Sequence, residues 1–324
     1  MMNEPRHFVP ESVSTASALR GVWAEHVSMA KHVSWRAGGA ARRTYTPADL
    51  EDLAAMLAQL PTDEPVMFVG LGSNLLVRDG GFNGTIVFLH AALNTLRVET
   101  LPGVGEVIYA EAGVASPKLA RFAANLGADA AFMAGIPGTV GGALAMNAGC
   151  YGAETWPCVV QVCTIDRQGQ RHLHTPADFE IAYRHVASRD IAARDEVFAA
   201  AWFKFPAQDK DIARDTIRSL LEKRVASQPL RLPNAGSVFR NPQGDFAARL
   251  IEATGLKGLR IGGAEVSTQH ANFIVNHDGS ATASDIETLI TTVQSRVAAA
   301  TGVQLIREVR IVGDATSLSS NSGS

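Results

Sequence analysis

Two glycine-rich segments carry the clearest chemical signal in the sequence. The first is GLGSN at residues 70–74, directly after the apolar run PVMFV. Gly70 and Gly72 permit a tight turn with exposed backbone N–H groups, and Ser73 and Asn74 add a hydroxyl and an amide. Such a turn suits a phosphate group, although an ordinary connection between a strand and a helix could have the same composition.

The second segment is AGIPGTVGGA at residues 134–143. Its small residues after Pro137 leave room for a ligand against the main chain, and a helix that begins here would point its N–H groups at an anion. Tight packing of a helix against a sheet is the alternative. Because two such segments occur in a chain without other ligand motifs, the sequence favours a ligand with two phosphates.

The common short motifs for nucleotide, metal and ester chemistry are absent. The sequence contains no GxGxxG, no GxxxxGK[ST], no HExxH and no GxSxG, which disfavours a standard Rossmann dinucleotide site. His172 and His174 alternate on a predicted strand, but no third ligand lies beside them. We therefore expect no metal site.

Three single residues could act on a bound ligand. Ser237, in the segment NAGSVFRNP, has no histidine near it in sequence, so proton donation suits it better than covalent catalysis; a plain turn residue would look the same. Glu308 lies in an apolar strand between Arg307 and Arg310, where an edge-strand ion pair is the alternative. Arg184 follows an aromatic residue and would ordinarily lie at the surface.

The composition is that of a folded protein without a charged partner. The chain has 324 residues, 46% of them hydrophobic and 19% charged, which predicts about two domains. Its net charge of −3 disfavours binding to nucleic acid or to an anionic membrane. No apolar run is long enough to span a bilayer and no signal pattern opens the chain, so we expect a cytoplasmic protein. The three cysteines are predicted to be free thiols.

Four helices are predicted from apolar periodicity together with start and stop signals. The first starts at Thr46-Pro47 with Thr46 as its N-cap, the second starts at Ser116-Pro117 and stops at Gly127, the third spans residues 211–225, and the fourth starts with a capping box of Ser284 and Glu287 and stops at Gly302.

Predicted strands alternate with these helices, which indicates a mixed α and β fold rather than a β-sandwich or a helical bundle. The predicted strands are residues 65–69, 85–89, 106–111, 159–166, 197–205, 272–276 and 304–312. Asn83-Gly84 is typical of a tight turn just before the second of them. We place a domain boundary at residues 206–209, where a strand gives way to a charged helix start.

Taken together, these segments resemble one family, the UDP-N-acetylenolpyruvoylglucosamine reductases, which are flavoenzymes of peptidoglycan precursor synthesis. The similarity covers about residues 31–313 and follows the family's order. The matching strings are SWRAGG, GLGSN, GIPGTVGGALAMNAGCYG, YR, NAGSVFRNP, LKGLRIGGAEVSTQHANFIVN and REVRIVG. The short spacing between Arg184 and Ser237 resembles the subgroup that lacks an extra tyrosine-bearing loop.

The resemblance implies an α+β fold with an FAD-binding region of the vanillyl-alcohol-oxidase type. This region, in two subdomains, would span residues 21–206, followed by a smaller α+β substrate-binding domain over residues 207–313. A flexible extension at residues 1–20 and a disordered tail at 314–324 would flank them. The resemblance assigns FAD contacts to Gly70, Gly72, Ser73, Asn74, Gly138, Thr139, Gly142 and Asn147.

The implied reaction is the NADPH-dependent reduction of UDP-N-acetylglucosamine enolpyruvate to UDP-N-acetylmuramate, with FAD as the bound cofactor. By the same resemblance, Arg184 binds the substrate carboxylate and Ser237 protonates the α-carbon. Glu308 would help only when protonated or bridged by water, since a bare carboxylate repels the developing negative charge, so we expect a raised pKa for it. Arg240 is a candidate for binding substrate and for stabilising the Ser237 alkoxide. We expect a monomer whose partners are these small molecules.

Two other functions stay open on the sequence alone. The same scaffold could serve an oxidase that acts on an alcohol or a sugar, and such an enzyme would react with oxygen and ignore NADPH. A non-catalytic module that binds a nucleotide sugar would instead purify without a bound flavin and therefore without colour.

Overall fold

The computed structural model describes residues 18–90 and 92–315. The predicted N-terminal extension up to residue 17 and the predicted tail from residue 316 lie outside the described residues. Six α-helices occur within the described part of the chain. They are α1 (Leu50–Gln59), α2 (Ser116–Leu126), α3 (Val140–Ala145), α4 (Lys210–Ser227), α5 (Ala247–Ala253) and α6 (Ala283–Thr301).

The strands occur in runs that the helices separate. In order they are β1 (Val22–Ser28), β2 (Ala40–Thr46), β3 (Val66–Val69), β4 (Leu75–Val77), β5 (Phe82–Phe88), β6 (Leu96–Leu101), β7 (Gly105–Glu111), β8 (Gly149–Cys150), β9 (Ala153–Glu154), β10 (Val159–Ile165), β11 (Arg171–His174), β12 (Phe179–Ala182), β13 (His185–Ser188), β14 (Val197–Phe203), β15 (Arg260–Ile261), β16 (Ala264–Val266), β17 (Ile274–Asn276) and β18 (Arg310–Val312).

Two sheets build the larger part of the molecule. One has the order β1-β2-β5-β3, with β5 parallel to both of its neighbours, and the other is antiparallel with the order β11-β10-β14-β7-β6. Successive residues of β7 face opposite sides: Ile108 and Ala110 pack in the core with α2, and Tyr109 packs in the core with α1. The antiparallel sheet is therefore covered on both faces.

The predicted helices exist, but three of them have N-caps other than the predicted residues. Helix α1 is capped by Asp49, whose side chain accepts the Asp52 N–H at 2.9 Å, and Thr46 still belongs to the preceding strand. Helix α2 has Ala115 as its N-cap, so Ser116 is already helical. Its end is as predicted, since Gly127 takes the left-handed conformation with φ +81°.

Helix α6 also starts before the predicted capping box. The predicted pair was Ser284 and Glu287, but the observed box uses Thr282 and Asp285, two residues earlier. Both boxes have the spacing that satisfies two N–H groups reciprocally, so the sequence offered two equivalent choices. The predicted stop at Gly302 is confirmed, with φ +74°.

The predicted turn at Asn83-Gly84 is wrong, because both residues lie inside β5. An Asn-Gly pair marks a hairpin only where the next strand folds back, and β5 instead runs parallel to its two neighbours. Glycine is needed here for another reason: a Cβ on Gly84 would come within 2.3 Å of the Pro65 carbonyl oxygen.

The C-terminal region has its own core but is joined to the first part of the chain. Strands β15, β16 and β17 form a small sheet that packs with α5 and α6. Strand β18 pairs in parallel with β4, and Trp35 and Leu76 are buried in this C-terminal core. The Trp35 indole N–H donates to the Ile274 carbonyl at 2.7 Å.

Helix α4, which we predicted to open the substrate-binding domain, packs elsewhere. Its Ala213 and Ile217 are buried in the core that contains Leu119 and Ala123 of α2. The helix therefore shares the core of the region before it. The division into domains at residues 206–209 remains a prediction.

Polar and sulfur side chains outside the glycine segments form local contacts. Cys150 and Cys158 are half-buried free thiols, and Cys163 is a buried one. His172 pairs with Asp166 and His174 with Glu196, each at 2.8 Å. The described residues contain no group of three side chains suited to a metal ion. Nor do they include a helix with the length and apolarity needed to cross a membrane.

Candidate active site

The two glycine-rich segments lie against each other. The first follows β3 and the second leads into α3. A Cβ on Gly70 would come within 2.4 Å of the Thr139 hydroxyl oxygen, and one on Gly138 would lie 3.3 Å from the Ser73 hydroxyl oxygen. The segments therefore pack so closely at Gly70 that a side chain there would push them apart.

The turn at residues 70–74 presents its backbone N–H groups to a ligand. Within the described residues, none of these five N–H groups donates to a protein acceptor. Gly72 holds the turn in shape with φ +61°, and a Cβ there would be 2.1 Å from the His32 carbonyl oxygen. Ser34 N–H donates to the Gly72 carbonyl at 3.1 Å, which anchors the turn from behind.

In the second glycine-rich segment, only some of the backbone N–H groups are free to bind a ligand. The N–H groups of Val140 and Gly141 at the start of α3 donate to protein carbonyls at 2.8 and 2.9 Å, so the prediction that this helix start points them at an anion is wrong for both. The N–H groups of Gly138, Thr139 and Gly142 have no acceptor within the described part of the chain. These three can still donate to a ligand.

Arg184 occupies the two-residue turn between β12 and β13, where Ala182 pairs with His185. Each nitrogen of its guanidinium donates one hydrogen bond: Nε to Glu308 Oε1 at 2.6 Å, and the two terminal nitrogens to the carbonyls of Asn147 and Gly149 at 3.4 and 3.1 Å. Each terminal nitrogen keeps a second hydrogen. Arg184 can therefore bind a carboxylate through two N–H groups while it stays anchored.

Glu308 is held beside Arg184 in a largely buried position. Its N–H donates to the Val238 carbonyl at 2.8 Å, and its side chain is 15% exposed. Burial raises the pKa of the Glu308 carboxyl, although the nearby charges of Arg184 and Arg240 act in the opposite direction. The raised pKa that we expected from the sequence is confirmed in direction.

Ser237 and Arg240 lie on the segment that runs beside Glu308. Ser237 directly precedes Val238, the residue that accepts the Glu308 N–H, and Arg240 N–H donates to the Ile306 carbonyl at 2.9 Å. The half-buried Ser237 hydroxyl has no hydrogen-bond partner within the described residues. Within the described residues, Arg240 Nε is also buried without a hydrogen-bond partner. Arg184, Ser237, Glu308 and Arg240 are thus brought to one place.

The side chains of two predicted FAD contacts are already engaged by the protein. Asn147 donates from its amide nitrogen to Glu154 and to the Ala182 carbonyl at 2.8 and 3.2 Å, and its oxygen accepts the Trp156 N–H. Asn74 donates from its side chain to the Glu308 carbonyl at 3.2 Å. Their FAD contacts remain a prediction. The Asn147 N–H also donates, to the Leu144 carbonyl at 3.3 Å, whereas the Asn74 N–H has no acceptor within the described residues.

A cavity of about 360 Å³ lies where the two glycine-rich segments meet the C-terminal region. Leu71 lines it from the first segment, Pro137 from the second, and residues 230–234 and Gly236 from the C-terminal region. Its lining also includes three arginines: Arg36, Arg224 and Arg231. Sequence reasoning did not find them as a group, because Arg36 is far along the chain from the other two.

Comparison with known proteins agrees with this geometry. Residues 41–173 match the model of an FAD binding domain, and residues 228–312 match that of the UDP-N-acetylenolpyruvoylglucosamine reductase C-terminal domain. A UDP-N-acetylenolpyruvoylglucosamine reductase of Thiobacillus denitrificans is 57% identical over 310 residues, which cover 93% of this chain and 95% of the relative. The chain belongs to the UDP-N-acetylenolpyruvoylglucosamine reductase family.

Further relatives support the same assignment. A reductase of this name from Legionella pneumophila is 50% identical over 288 residues, covering 89% of this chain and 92% of the relative. The crystal structure of the reductase from Thermus caldophilus superposes with a TM-score of 0.73 at 30% identity, covering 90% of this chain and 98% of that one. The predicted α+β fold with an FAD-binding region is confirmed.

Family membership also confirms the predicted activity. The chain is an FAD-dependent oxidoreductase of peptidoglycan precursor synthesis, with NADPH as its co-substrate. The non-catalytic alternative is excluded by this assignment. The individual residue roles remain predictions.

Proposed function

We propose that this family member reduces UDP-N-acetylglucosamine enolpyruvate to UDP-N-acetylmuramate with Arg184, Glu308 and Ser237 arranged around the reacting double bond. The observation that carries this proposal is the 2.6 Å contact between Arg184 and Glu308 next to the segment that holds Ser237. The three residues come from separate parts of the chain, so their meeting depends on the fold as a whole.

The residues of the two glycine-rich segments fit FAD. The free N–H groups of residues 70–74, together with those of Gly138, Thr139 and Gly142, offer a cradle of donors for a pyrophosphate. Ser73 adds a hydroxyl at the contact between the two segments. When bound, FAD supplies the hydride chemistry that links NADPH to the substrate.

Arg184 and Glu308 suit the charge that develops in the substrate. The enol ether double bond is conjugated to a carboxylate, so negative charge builds on the carboxylate oxygens as the β-carbon gains hydride. The two remaining N–H groups of Arg184 can meet this charge in a bidentate contact. Glu308 supports the same region as a neutral carboxyl, the form that its raised pKa favours.

Ser237 is the proton donor to the α-carbon in this proposal. Its unpaired hydroxyl is free to face a substrate, but an alcohol gives up its proton reluctantly and needs a nearby positive charge. Arg240, three residues further along, has a buried Nε without a partner. It can stabilise the alkoxide or bind the substrate with that group.

The remaining predictions about partners also belong to the proposal. UDP-N-acetylglucosamine enolpyruvate and NADPH bind as small molecules, and the net charge of −3 supports neither nucleic acid nor membrane as a partner. We place the enzyme in the cytoplasm as a monomer of the subgroup without the extra tyrosine-bearing loop.

Stopped-flow absorbance of the purified holoenzyme tests the proposed function. NADPH should bleach the visible absorbance of the flavin, and UDP-N-acetylglucosamine enolpyruvate should restore it much faster than oxygen does. UDP-N-acetylglucosamine, which lacks the enolpyruvyl group, is the matched control and should not restore it. Rapid restoration by oxygen alone, with no effect of the enolpyruvyl substrate, would instead identify an oxidase.

A further inference from the structure

The loop that leads into the β8–β9 hairpin contains a buried asparagine that contacts both Arg184 and the strand end before it. Asn147 is 1% exposed and has φ +40°, a left-handed conformation that residues other than glycine rarely adopt. Its side chain donates to Glu154 Oε2 at 2.8 Å and to the Ala182 carbonyl at 3.2 Å, and it accepts the Trp156 N–H at 3.2 Å. These contacts use both amide hydrogens and the oxygen.

The same loop holds the guanidinium of Arg184. The carbonyl of Asn147 accepts from one terminal nitrogen at 3.4 Å, and the carbonyl of Gly149 accepts from the other at 3.1 Å. Meanwhile the Asn147 side chain binds the carbonyl of Ala182, two residues before Arg184. One asparagine therefore contacts both the base of the Arg184 turn and, through its backbone, the end of the Arg184 side chain.

Glu154 completes this arrangement from the opposite strand of the hairpin. Gly149 pairs with Glu154 in the β8–β9 ladder, so the residue that orients the Asn147 amide lies directly opposite the residue whose carbonyl accepts from Arg184. Gly149 is packed closely here, since a Cβ on it would lie 2.3 Å from the Ala153 carbonyl oxygen. A side chain at Gly149 would therefore displace the hairpin and the carbonyl that accepts from Arg184.

We propose that Asn147 and Glu154 are positioning residues that hold the Arg184 guanidinium in the orientation required for the substrate carboxylate. Neither residue needs to contact the substrate for this role. The inference rests on the proposed function of Arg184, and it assigns the Asn147 side chain to a task other than the FAD contact predicted from the sequence.

Asn147→Gly is the main test, because glycine accepts the left-handed backbone and removes only the side chain. The holoenzyme variant should show reduction of its flavin by NADPH at the parent rate. Its reoxidation by UDP-N-acetylglucosamine enolpyruvate should slow by about tenfold or more, since small displacements of a positioning group cost rate steeply. Equal slowing of both steps, or of neither, would overturn the proposal.

A double-mutant cycle with Arg184→Lys separates positioning from a general structural role. Lysine keeps the charge but cannot reproduce the contacts to both carbonyls. If Asn147 acts through Arg184, adding Asn147→Gly to Arg184→Lys should slow substrate reduction no further. Fully additive effects would contradict the positioning role. Arg184→Lys with an unchanged rate of substrate reduction would instead refute the proposed function of Arg184.

Glu154 supplies a second pair of variants if Asn147→Gly folds poorly. Glu154→Gln keeps an oxygen that can accept from Asn147 and should retain the parent rate of substrate reduction, whereas Glu154→Ala should slow that step. Asp52→Asn is the matched control, because Asp52 is a buried hub of hydrogen bonds on α1. It should lower thermal stability without slowing one step selectively. Equal rates in both Glu154 variants would exclude its role.

Discussion

Arg184 combines a strained backbone with a well-anchored side chain. Its φ of +54° lies in the left-handed region, which costs a residue with a side chain roughly 1 kcal/mol or more. The contacts to Glu308 and to two carbonyls offset this cost and explain why arginine persists where glycine would be easier. Strained backbone of this kind is typical of a position whose side chain has a specific role.

Substituting Ser237 should separate the two steps of the reaction. Because the hydroxyl acts as a proton donor to the substrate, Ser237→Ala should slow substrate reduction at least ~100-fold while flavin reduction by NADPH stays nearly intact. Single-turnover absorbance of each step measures this. Ser227→Ala, at the exposed end of α4, is a control that should change neither step. Unchanged substrate reduction in Ser237→Ala would remove this serine from the mechanism.

The Glu308 carboxyl should give the substrate step a characteristic pH dependence. Burial raises its pKa, so the neutral form persists to higher pH than in a free glutamate. If the neutral form assists, the rate of substrate reduction is highest below this pKa and falls as pH rises through it. In Glu308→Gln, whose side chain is always neutral, that fall should disappear.

Single-turnover rates across pH provide the measurement. Glu252→Gln, an exposed partner of Lys257, is the control and should keep the parent profile. A parent rate that increases with pH through this range would show that the ionised carboxylate is the active form, contrary to the proposal.

Among single residues, the sequence best predicted those whose side chains are proposed to act on the substrate. Ser237, Glu308 and Arg184 could be named from their motifs, and the structure brings them together. The engagement of the Asn147 side chain could not be foreseen, because its partners at Glu154 and Ala182 depend on how two hairpins pack.

Among the elements, the glycine-rich turn after β3 has no room for a side chain at Gly70 or Gly72. Gly70→Ala would place a methyl group within 2.4 Å of the Thr139 hydroxyl and force the two glycine-rich segments apart. Overpacking of this kind costs about 1–3 kcal/mol, which corresponds to roughly 5- to 150-fold weakening of FAD binding. Titration of apoprotein with FAD, followed by flavin fluorescence, measures the loss.

A second substitution checks that the clash is the cause. Thr139→Ala removes the atoms that the new methyl group would meet, so the Gly70→Ala/Thr139→Ala double variant should recover part of the affinity lost by Gly70→Ala. Parent-like FAD affinity in Gly70→Ala itself would show that the segments are not in contact in solution.

Element boundaries were harder to predict than element types. The apolar stripe of α6 identified the helix, but Thr282 with Asp285 and Ser284 with Glu287 offered the same capping pattern. Tertiary contacts favour the earlier start: the Asp79 carboxylate accepts the N–H groups of Ala283 and Ser284 at 3.0 and 2.8 Å. No local pattern encodes a cap supplied from another part of the chain.

At the scale of the whole molecule, the Arg78–Glu287 ion pair joins the C-terminal region to the first half of the chain. Arg78 binds both oxygens of Glu287 at 2.8 Å, and the side chains are 34% and 26% exposed. This hydrogen bonding lowers the pKa of Glu287. The stabilisation is therefore present above the unfolded-state pKa and is lost as pH falls through the lower folded-state pKa.

Glu287→Gln should lower the free energy of unfolding by about 0.5 kcal/mol at neutral pH, as expected for a partly exposed pair. The difference from the parent should shrink on acidification and vanish below the folded-state pKa. Denaturant unfolding at several pH values measures it. Asp215→Asn, which breaks an exposed pair with Arg218 on α4, should have little effect at any pH. A constant difference for Glu287→Gln would exclude the ion pair as its cause.

The packing of elements that are distant in the chain was the hardest part of the fold to predict from the sequence. Alternation predicted a mixed α and β fold and the family resemblance implied an α+β one, but neither predicted that β18 pairs with β4 or that α4 shares a core with α2. These contacts join residues far apart in the chain, and neither apolar periodicity nor a capping pattern predicts them.

The hydrogen bond from Asn74 to Glu308 spans 234 positions of the chain. On a ribosome, the glycine-rich turn emerges long before the segment that must close over it. Loops of this length close late and slowly, so the reaction centre should be among the last features to mature. During refolding, helix content should return before turnover, and newly made chains should pass through a stage that already has much of its architecture but no catalytic capacity.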